Sequence, residues 1–116
     1  MSKNNQTDLI EFPAKSPEEL KAITTFFSKV FGWNFKEYGT EYSDTQGSGL
    51  TFGVNASENN KQSMPLAVIY AENLEETKAN VIDAGGKIIA DIYSFPGGRR
   101  FHFTDPAQNE FAVWGK

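Results

Sequence analysis

One histidine and no cysteine limit the side-chain chemistry available to this chain of 116 residues. His102 lies between Phe101 and Phe103, so on a β-strand its ring points to the face opposite both phenylalanines. An imidazole placed there could serve as a general base, although a structural histidine with satisfied hydrogen bonds is the commoner outcome. Without cysteine, neither a disulfide nor thiolate chemistry is available.

Glu11 is the carboxylate whose position is most suited to chemistry. It lies in the short apolar segment Leu9–Phe12. A carboxylate beside an apolar wall is suited to accept or donate a proton. The alternative is a glutamate held by a backbone amide or an arginine. A second polar segment, Gly97–Arg100, could hold a phosphate, but a Gly-Gly turn at the start of a solvent-exposed strand is the favoured interpretation.

A seven-residue phrase that occurs twice indicates which elements position these residues. Ser16–Ala22 (SPEELKA) is followed 57 residues later by Asn73–Ala79 (NLEETKA). Each copy begins with a residue that can accept backbone N–H bonds at a helix start and carries Glu at the third helical position, as in a capping box. Each copy also follows a short apolar run. The repeat therefore predicts two copies of one structural module.

The order of apolar and turn segments predicts an α+β fold of two βαβββ modules. Helices are expected at Pro17–Phe31 and Leu74–Ala84, and strands at Leu9–Phe12, Trp33–Tyr38, Glu41–Thr45, Leu50–Val54, Pro65–Ala71, Lys87–Phe95, Arg99–Thr104 and Glu110–Trp114. Residues 1–7 are expected to form a frayed tail. The prediction is one domain over residues 1–116, with module one at about 8–54, a linker at 55–63 and module two at about 65–114.

Charge and hydropathy restrict the partners and the location. The net charge is −4 and no cluster of basic residues exceeds Arg99-Arg100, so nucleic acid and an anionic membrane are not expected partners. The polar N-terminal segment lacks the apolar core of a signal peptide, and no apolar run approaches transmembrane length. The expected location is the cytoplasm.

Two phrases give the chain a resemblance to a known superfamily. Phe26–Trp33 (FFSKVFGW) and Asp105–Asn109 (DPAQN), together with the two βαβββ modules, resemble the vicinal oxygen chelate superfamily, which includes glyoxalase I, bleomycin-resistance proteins and extradiol dioxygenases. The resemblance implies a U-shaped cleft lined by the concave sheet faces of the modules. It implies that Leu9, Gly53, Leu66 and Ala112 occupy the positions of metal ligands. None of these four side chains has a donor atom, so neither a metal nor another cofactor is expected.

The resemblance also indicates which side chains would line the cleft. Side chains alternate between the two faces of a strand, so residues two or four positions from Leu9, Leu66 and Ala112 lie on the same face as these three. These residues are Glu11, Tyr70, Glu110 and Trp114. Trp33 and Tyr42 could join them. The aromatic residues suit a flat, partly apolar ligand, although packing between modules or across a dimer is an equally open interpretation.

Three functions remain open from the sequence, of which one is a regulatory or assembly module without a small ligand and the other two involve a small molecule. The first is the binding of a small organic molecule without a metal, as in the bleomycin-resistance proteins. The second is a glyoxalase-like lyase or isomerase that uses Glu11 or His102 for proton transfer, with a relocated metal on Glu11, Glu110 and His102 as a variant. A homodimer is expected, because aromatic residues make up 14% of the chain and are hard to bury in a monomer of this size.

Overall fold

The computed structural model describes residues 2–58 and 63–116. The elements follow in the order β1 (Gln6–Pro13), α1 (Pro17–Phe31), β2 (Asn34–Glu37), β3 (Tyr42–Gln46), β4 (Thr51–Asn55), β5 (Leu66–Tyr70), α2 (Leu74–Asp83), β6 (Lys87–Phe95), β7 (Gly98–Thr104) and β8 (Glu110–Gly115). The predicted α+β class with two βαβββ modules is confirmed.

The chain divides into two compact units. We call Leu9–Pro65 the N-terminal unit, and Leu66–Lys116 together with the residues up to Asp8 the C-terminal unit. Part of the predicted linker at 55–63 is strand, because Asn55 ends β4. Residues 59–62 of that linker lie outside the described part of the chain.

The same strand order occurs in both units. In the N-terminal unit the order is β2-β3-β4-β1, with β1 parallel to β4 and the other pairs antiparallel. In the C-terminal unit the order is β6-β7-β8-β5, with β5 parallel to β8. Within each module a crossover helix joins the first strand to the antiparallel strands that follow, as a parallel first and last strand require.

Each helix begins at the predicted cap. The Ser16 side chain accepts from the Glu19 amide, and the Asn73 side chain accepts from the Glu76 amide. Helix α1 ends at Gly32, whose φ of 73° places it in the left-handed region that glycine adopts without strain. Neither helix among the described residues has the length and apolar character needed to cross a membrane.

Helix and sheet enclose a small apolar core in each unit. The core of the N-terminal unit contains Ala14, Leu20, Val54 and Ala56, with Ile23, Phe35 and Phe52 packed against it. The core of the C-terminal unit contains Ala71, Leu74, Phe101 and Val113, with Ile69, Val81, Ile88, Ile92 and Phe103 packed against it. Each helix thus covers one face of its own sheet, and the opposite face carries the residues with polar chemistry.

The expectation of a frayed N-terminal tail is wrong for residues 4–7. Strand β1 begins at Gln6 and not at Leu9. The Asn5 amide donates to the Tyr70 carbonyl at 2.8 Å, and the Glu72 amide donates to the Asn4 side chain at 2.8 Å. Side-chain and backbone hydrogen bonds of asparagine hold this segment, and hydrophobic periodicity does not report such contacts.

Candidate functional site

The sheet of the C-terminal unit has one face that α2 does not cover. Strand alternation places Phe101, Phe103 and Val113 toward α2, in the core. His102 lies opposite Ala112 and Arg100 lies opposite Trp114 in the β7–β8 register. We call the side opposite α2 the His102 face; Leu66, Val68 and Ala112 also lie on it and are buried. It carries Tyr70, Tyr93, Arg100, His102, Glu110 and Trp114.

His102 lies at the centre of a polar cluster on this face. Its Nδ1 lies 3.0 Å from Glu110 Oε2, and its Nε2 lies 2.9 Å from the Tyr93 hydroxyl. The Arg100 Nε–H donates to the same Nε2 at 3.2 Å. His102 and Arg100 are 8% and 9% exposed, whereas Tyr93 is 43% exposed and the Glu110 side chain is 39% exposed, so the ring is buried and two of its partners reach solvent.

The donors around the ring determine its tautomer. A guanidinium N–H can only donate, so His102 Nε2 accepts and carries no proton. The proton is therefore on Nδ1, which donates to the Glu110 carboxylate. Glu110 consequently fixes both the orientation and the tautomer of the ring, as a carboxylate does for a histidine that works as a general base. Nε2 is the atom available to exchange a hydrogen bond with a ligand.

Two aromatic side chains border the polar cluster. The Tyr70 and Trp114 rings meet edge to face with their centroids 4.9 Å apart. The Trp114 indole N–H donates to Asp8 Oδ2 at 2.9 Å, which holds the ring in one orientation. Phe95 approaches Trp114 at 6.3 Å. The His102 face thus combines fixed aromatic surface with a hydrogen-bonding group, as small-molecule sites do.

The N-terminal unit carries a second polar group on the face that α1 does not cover. Glu11 is 2% exposed and lies opposite Gly53, and the Asn55 side chain donates to it at 3.5 Å. The Tyr42 hydroxyl occupies the space that a Cβ at position 53 would take. Asp44 lies opposite Gly53 on the other side, and burial raises the pKa of its carboxyl despite the opposing effect of nearby Lys36. Glu11 and Tyr42 therefore share a face of the sheet.

Trp33 lies on the helix-covered side of the same unit. Its ring stacks on Phe27 at 5.4 Å and on Phe31 at 5.3 Å, and it tilts against Phe52 at 5.3 Å. Trp33 is part of an aromatic cluster between α1 and the sheet, away from Glu11 and Tyr42. These contacts agree with the interpretation of Trp33 as a packing residue.

The sequence analysis did not place Arg100 and Tyr93 beside His102. Arg100 could have been found, because it is two residues from His102 and shares its face of the strand. The contact of Tyr93 with His102 could not, because the β6–β7 register shifts twice, between Ile88 and Ala90 and between Ala90 and Tyr93. These shifts determine which residues of β7 lie beside Tyr93.

Two other features concern ligand and metal chemistry. Among the described residues, no group of three or more His, Cys, Asp and Glu side chains is arranged to hold a metal ion. Arg99, in the Gly97–Arg100 segment for which a phosphate site was the less favoured interpretation, pairs with the Glu75 carboxylate through both terminal nitrogens. Its Nε donates to the Lys116 carbonyl at 3.1 Å, so the turn is tied to α2 and to the C-terminus.

Comparison with known proteins identifies the fold family. The family model described as "Glyoxalase-like domain" matches residues 15–114. The chain belongs to this family. The resemblance to the vicinal oxygen chelate superfamily is thereby confirmed for this glyoxalase-like chain, whereas no curated protein sequence matches it significantly.

Solved structures show the same fold at low sequence identity. A structure titled NAD-dependent benzaldehyde dehydrogenase, from Legionella pneumophila, has a TM-score of 0.77 at 17% identity and covers 92% of this chain and 96% of its own. A glyoxalase/bleomycin resistance protein/dioxygenase superfamily member from Vibrio splendidus has a TM-score of 0.67 at 16% identity and covers 93% and 97%. The Mn(II)-bound glyoxalase from Novosphingobium aromaticivorans has a TM-score of 0.66 at 18% identity, covering 99% of this chain but 40% of that one. At these identities the glyoxalase-like chain shares a fold with them, and its function has to come from its own residues.

Proposed function

We propose that this glyoxalase-like protein binds a small, planar, hydroxyl-bearing organic molecule on the His102 face. The observation that carries the proposal is the fixed tautomer of His102, which presents an unprotonated Nε2 beside aromatic surface. A hydroxyl on the ligand would donate to Nε2 in place of the Tyr93 hydroxyl. The flat part of the ligand would lie against Tyr70 and Trp114, where aromatic contact contributes about 0.5–1.5 kcal/mol beyond area burial.

The proposed binding requires no metal. The resemblance to the superfamily would place Leu9, Gly53, Leu66 and Ala112 at the positions of metal ligands, and their side chains contain no donor atom. Shape, aromatic surface and a few hydrogen-bonding groups are sufficient for binding a small molecule.

The experiment is a thermal-shift screen of phenols, enols and hydroxylated heteroaromatic compounds. A ligand at a hundred times its Kd adds about 2.7 kcal/mol of stability. Glu110→Gln removes the charge that holds the His102 tautomer, and we expect it to weaken binding of any positive compound about tenfold, the loss of one charged hydrogen-bond partner. Glu75→Gln is the matched control, because Glu75 is an ion-paired glutamate of the same unit that lies on α2. A screen without a stabilising compound, or one whose positives bind both variants equally, contradicts the proposal.

Proton transfer is the second candidate function, and the His102–Glu110 pair favours it. A carboxylate that accepts from Nδ1 stabilises the imidazolium that forms when Nε2 takes a proton. For a bound compound with an acidic C–H, we expect exchange of that hydrogen for deuterium in heavy water, measured by NMR. His102→Gln should abolish the exchange and retain measurable binding. Equal exchange in wild type and His102→Gln would rule out the histidine as the base.

A further inference from the structure

Helix α1 exposes a stripe of apolar and charged residues that the site does not use. Phe26 is 57% exposed and Val30 is 55% exposed, four residues apart and therefore on one side of the helix. Ala22 precedes Phe26 by four residues and is exposed as well. We call Ala22, Phe26 and Val30, with Glu18 and Lys29 at the two ends, the α1 stripe.

The exposed ring is held in place from beneath. Phe26 meets Phe27 edge to face at 5.1 Å, and Phe27 in turn contacts Phe52 at 4.8 Å and Trp33 at 5.4 Å. A ring fixed by such contacts loses little conformational entropy when a partner covers it, and rigid aromatic residues of this kind are the typical anchors of interfaces.

The α1 stripe can face an antiparallel copy of itself with matching charges and matching side-chain sizes. Helix α1 begins with Glu18 and Glu19 and ends with Lys29. If a second copy of α1 lies antiparallel across the first, with the two-fold axis at the level of residues 23 and 24, Lys29 of one copy lies beside the acidic start of the other. The same axis places the Phe26 ring over the small side chain of Ala22 in the second copy. One symmetric contact therefore pairs a large side chain with a small one twice, and a positive charge with a negative one twice.

We infer that the α1 stripe is a docking surface for a second copy of this chain, with the two α1 helices antiparallel about a two-fold axis. Phe26 alone exposes roughly 100 Å², given the size of an aromatic side chain. A stable interface needs about 800 Å² per partner. The stripe is thus the apolar centre of the contact, and polar residues such as Thr25, Glu18 and Lys29 form its rim.

The apolar part of the test is a truncation of the central ring. Phe26→Ser should raise the dimer Kd about tenfold or more, as truncation of an interface anchor does. Ile82→Ser is the matched control, because Ile82 is an apolar residue of α2 that is 52% exposed. Analytical ultracentrifugation from about 1 to 100 µM measures both Kd values, and circular dichroism establishes that each variant is folded. A wild-type monomer at the highest concentration, or a dimer equally stable in Phe26→Ser, overturns the inference.

The charged part of the test depends on rescue by mixing. Glu18→Lys alone and Lys29→Glu alone each place like charges together twice, and each should weaken the dimer several-fold. An equimolar mixture of the two variants restores opposite charges at both contacts, so heterodimers should outnumber both homodimers in native mass spectrometry. Lys87→Glu, the same charge change at an exposed position of β6, should leave the dimer Kd unchanged. A statistical mixture of species overturns the antiparallel arrangement even if a dimer is present.

Discussion

Removal of two different hydroxyl groups on strand β3 should change the stability of the protein in opposite directions. Ser43 and Thr45 are 1% and 3% exposed and both point toward the core beneath α1. The Ser43 hydroxyl has no hydrogen-bond partner among the described residues. The Thr45 hydroxyl accepts from the Phe52 amide at 3.0 Å and also bonds to the Ser48 hydroxyl.

The magnitudes follow from what each substitution leaves behind. Ser43→Ala removes a buried polar group that has lost its water and gained no partner, so the folded state should gain about 1 kcal/mol. Thr45→Val keeps the shape of the side chain but leaves the Phe52 amide without its acceptor, which should cost about 1–3 kcal/mol. The two variants therefore differ by roughly 2–4 kcal/mol, although they delete the same functional group two residues apart.

Equilibrium unfolding in urea measures both changes. We expect the midpoints to move in opposite directions with an unchanged slope, since a change in slope would indicate an altered unfolded or native state. A loss of stability above about 0.5 kcal/mol in Ser43→Ala would refute the reasoning, because it would show that the hydroxyl is satisfied in the folded protein.

Three further predictions concern local structure. Ser16→Ala and Asn73→Ala should each lower the unfolding free energy measured in urea by about 1 kcal/mol, because each removes a helix cap. Asn73→Ala should also lower the folding yield, because α2 is the shorter helix. Losses below about 0.3 kcal/mol would show that these residues do not cap the helices. Hydrogen bonds from the Asn109 side chain and from backbone amides lower the pKa of the Asp105 carboxyl in the folded protein. The stability that this carboxylate provides is therefore present above its unfolded-state pKa near 4 and is lost as the pH falls through its folded-state pKa. The difference in unfolding free energy between wild type and Asp105→Asn should shrink below a pH of about 4, and a difference that does not change with pH would contradict this. Gln108 has a φ of 67°, so Gln108→Gly should raise the unfolding free energy by a few tenths to about 1 kcal/mol, whereas no gain would mean that the turn carries no strain.

The sequence predicted the elements whose signals are local. Helix α1 has the predicted bounds, because Ser16, Pro17 and Gly32 give unambiguous start and stop signals. The strands of the sheet were found to within one or two residues in most cases, since alternation identifies a strand better than its ends. The beginning of β1 was missed, because the bonds of Asn4 and Asn5 join residues distant in sequence.

The candidate site was predictable only in part. The orientation of His102 away from Phe101 follows from alternation alone. Its pairing with Glu110 depends on the β7–β8 register, which places Thr104 opposite Glu110. The contact of Tyr93 with His102 depends on two register shifts in the β6–β7 pair, which no residue type in the segment predicts. The sequence therefore predicts which face of a strand a side chain occupies, whereas its contacts with neighbouring strands can be read only from the three-dimensional structure.

The most direct test of the proposed function is the ¹⁵N NMR spectrum of the His102 imidazole, with and without a compound that stabilises the protein. His102 is the single histidine of the chain, so its two ring nitrogens are assigned without ambiguity. We predict that the ring proton lies on Nδ1 and that the Nε2 resonance changes when the compound saturates the protein. A proton on Nε2, or a ring spectrum that stays unchanged at saturation, would contradict binding at the His102 face.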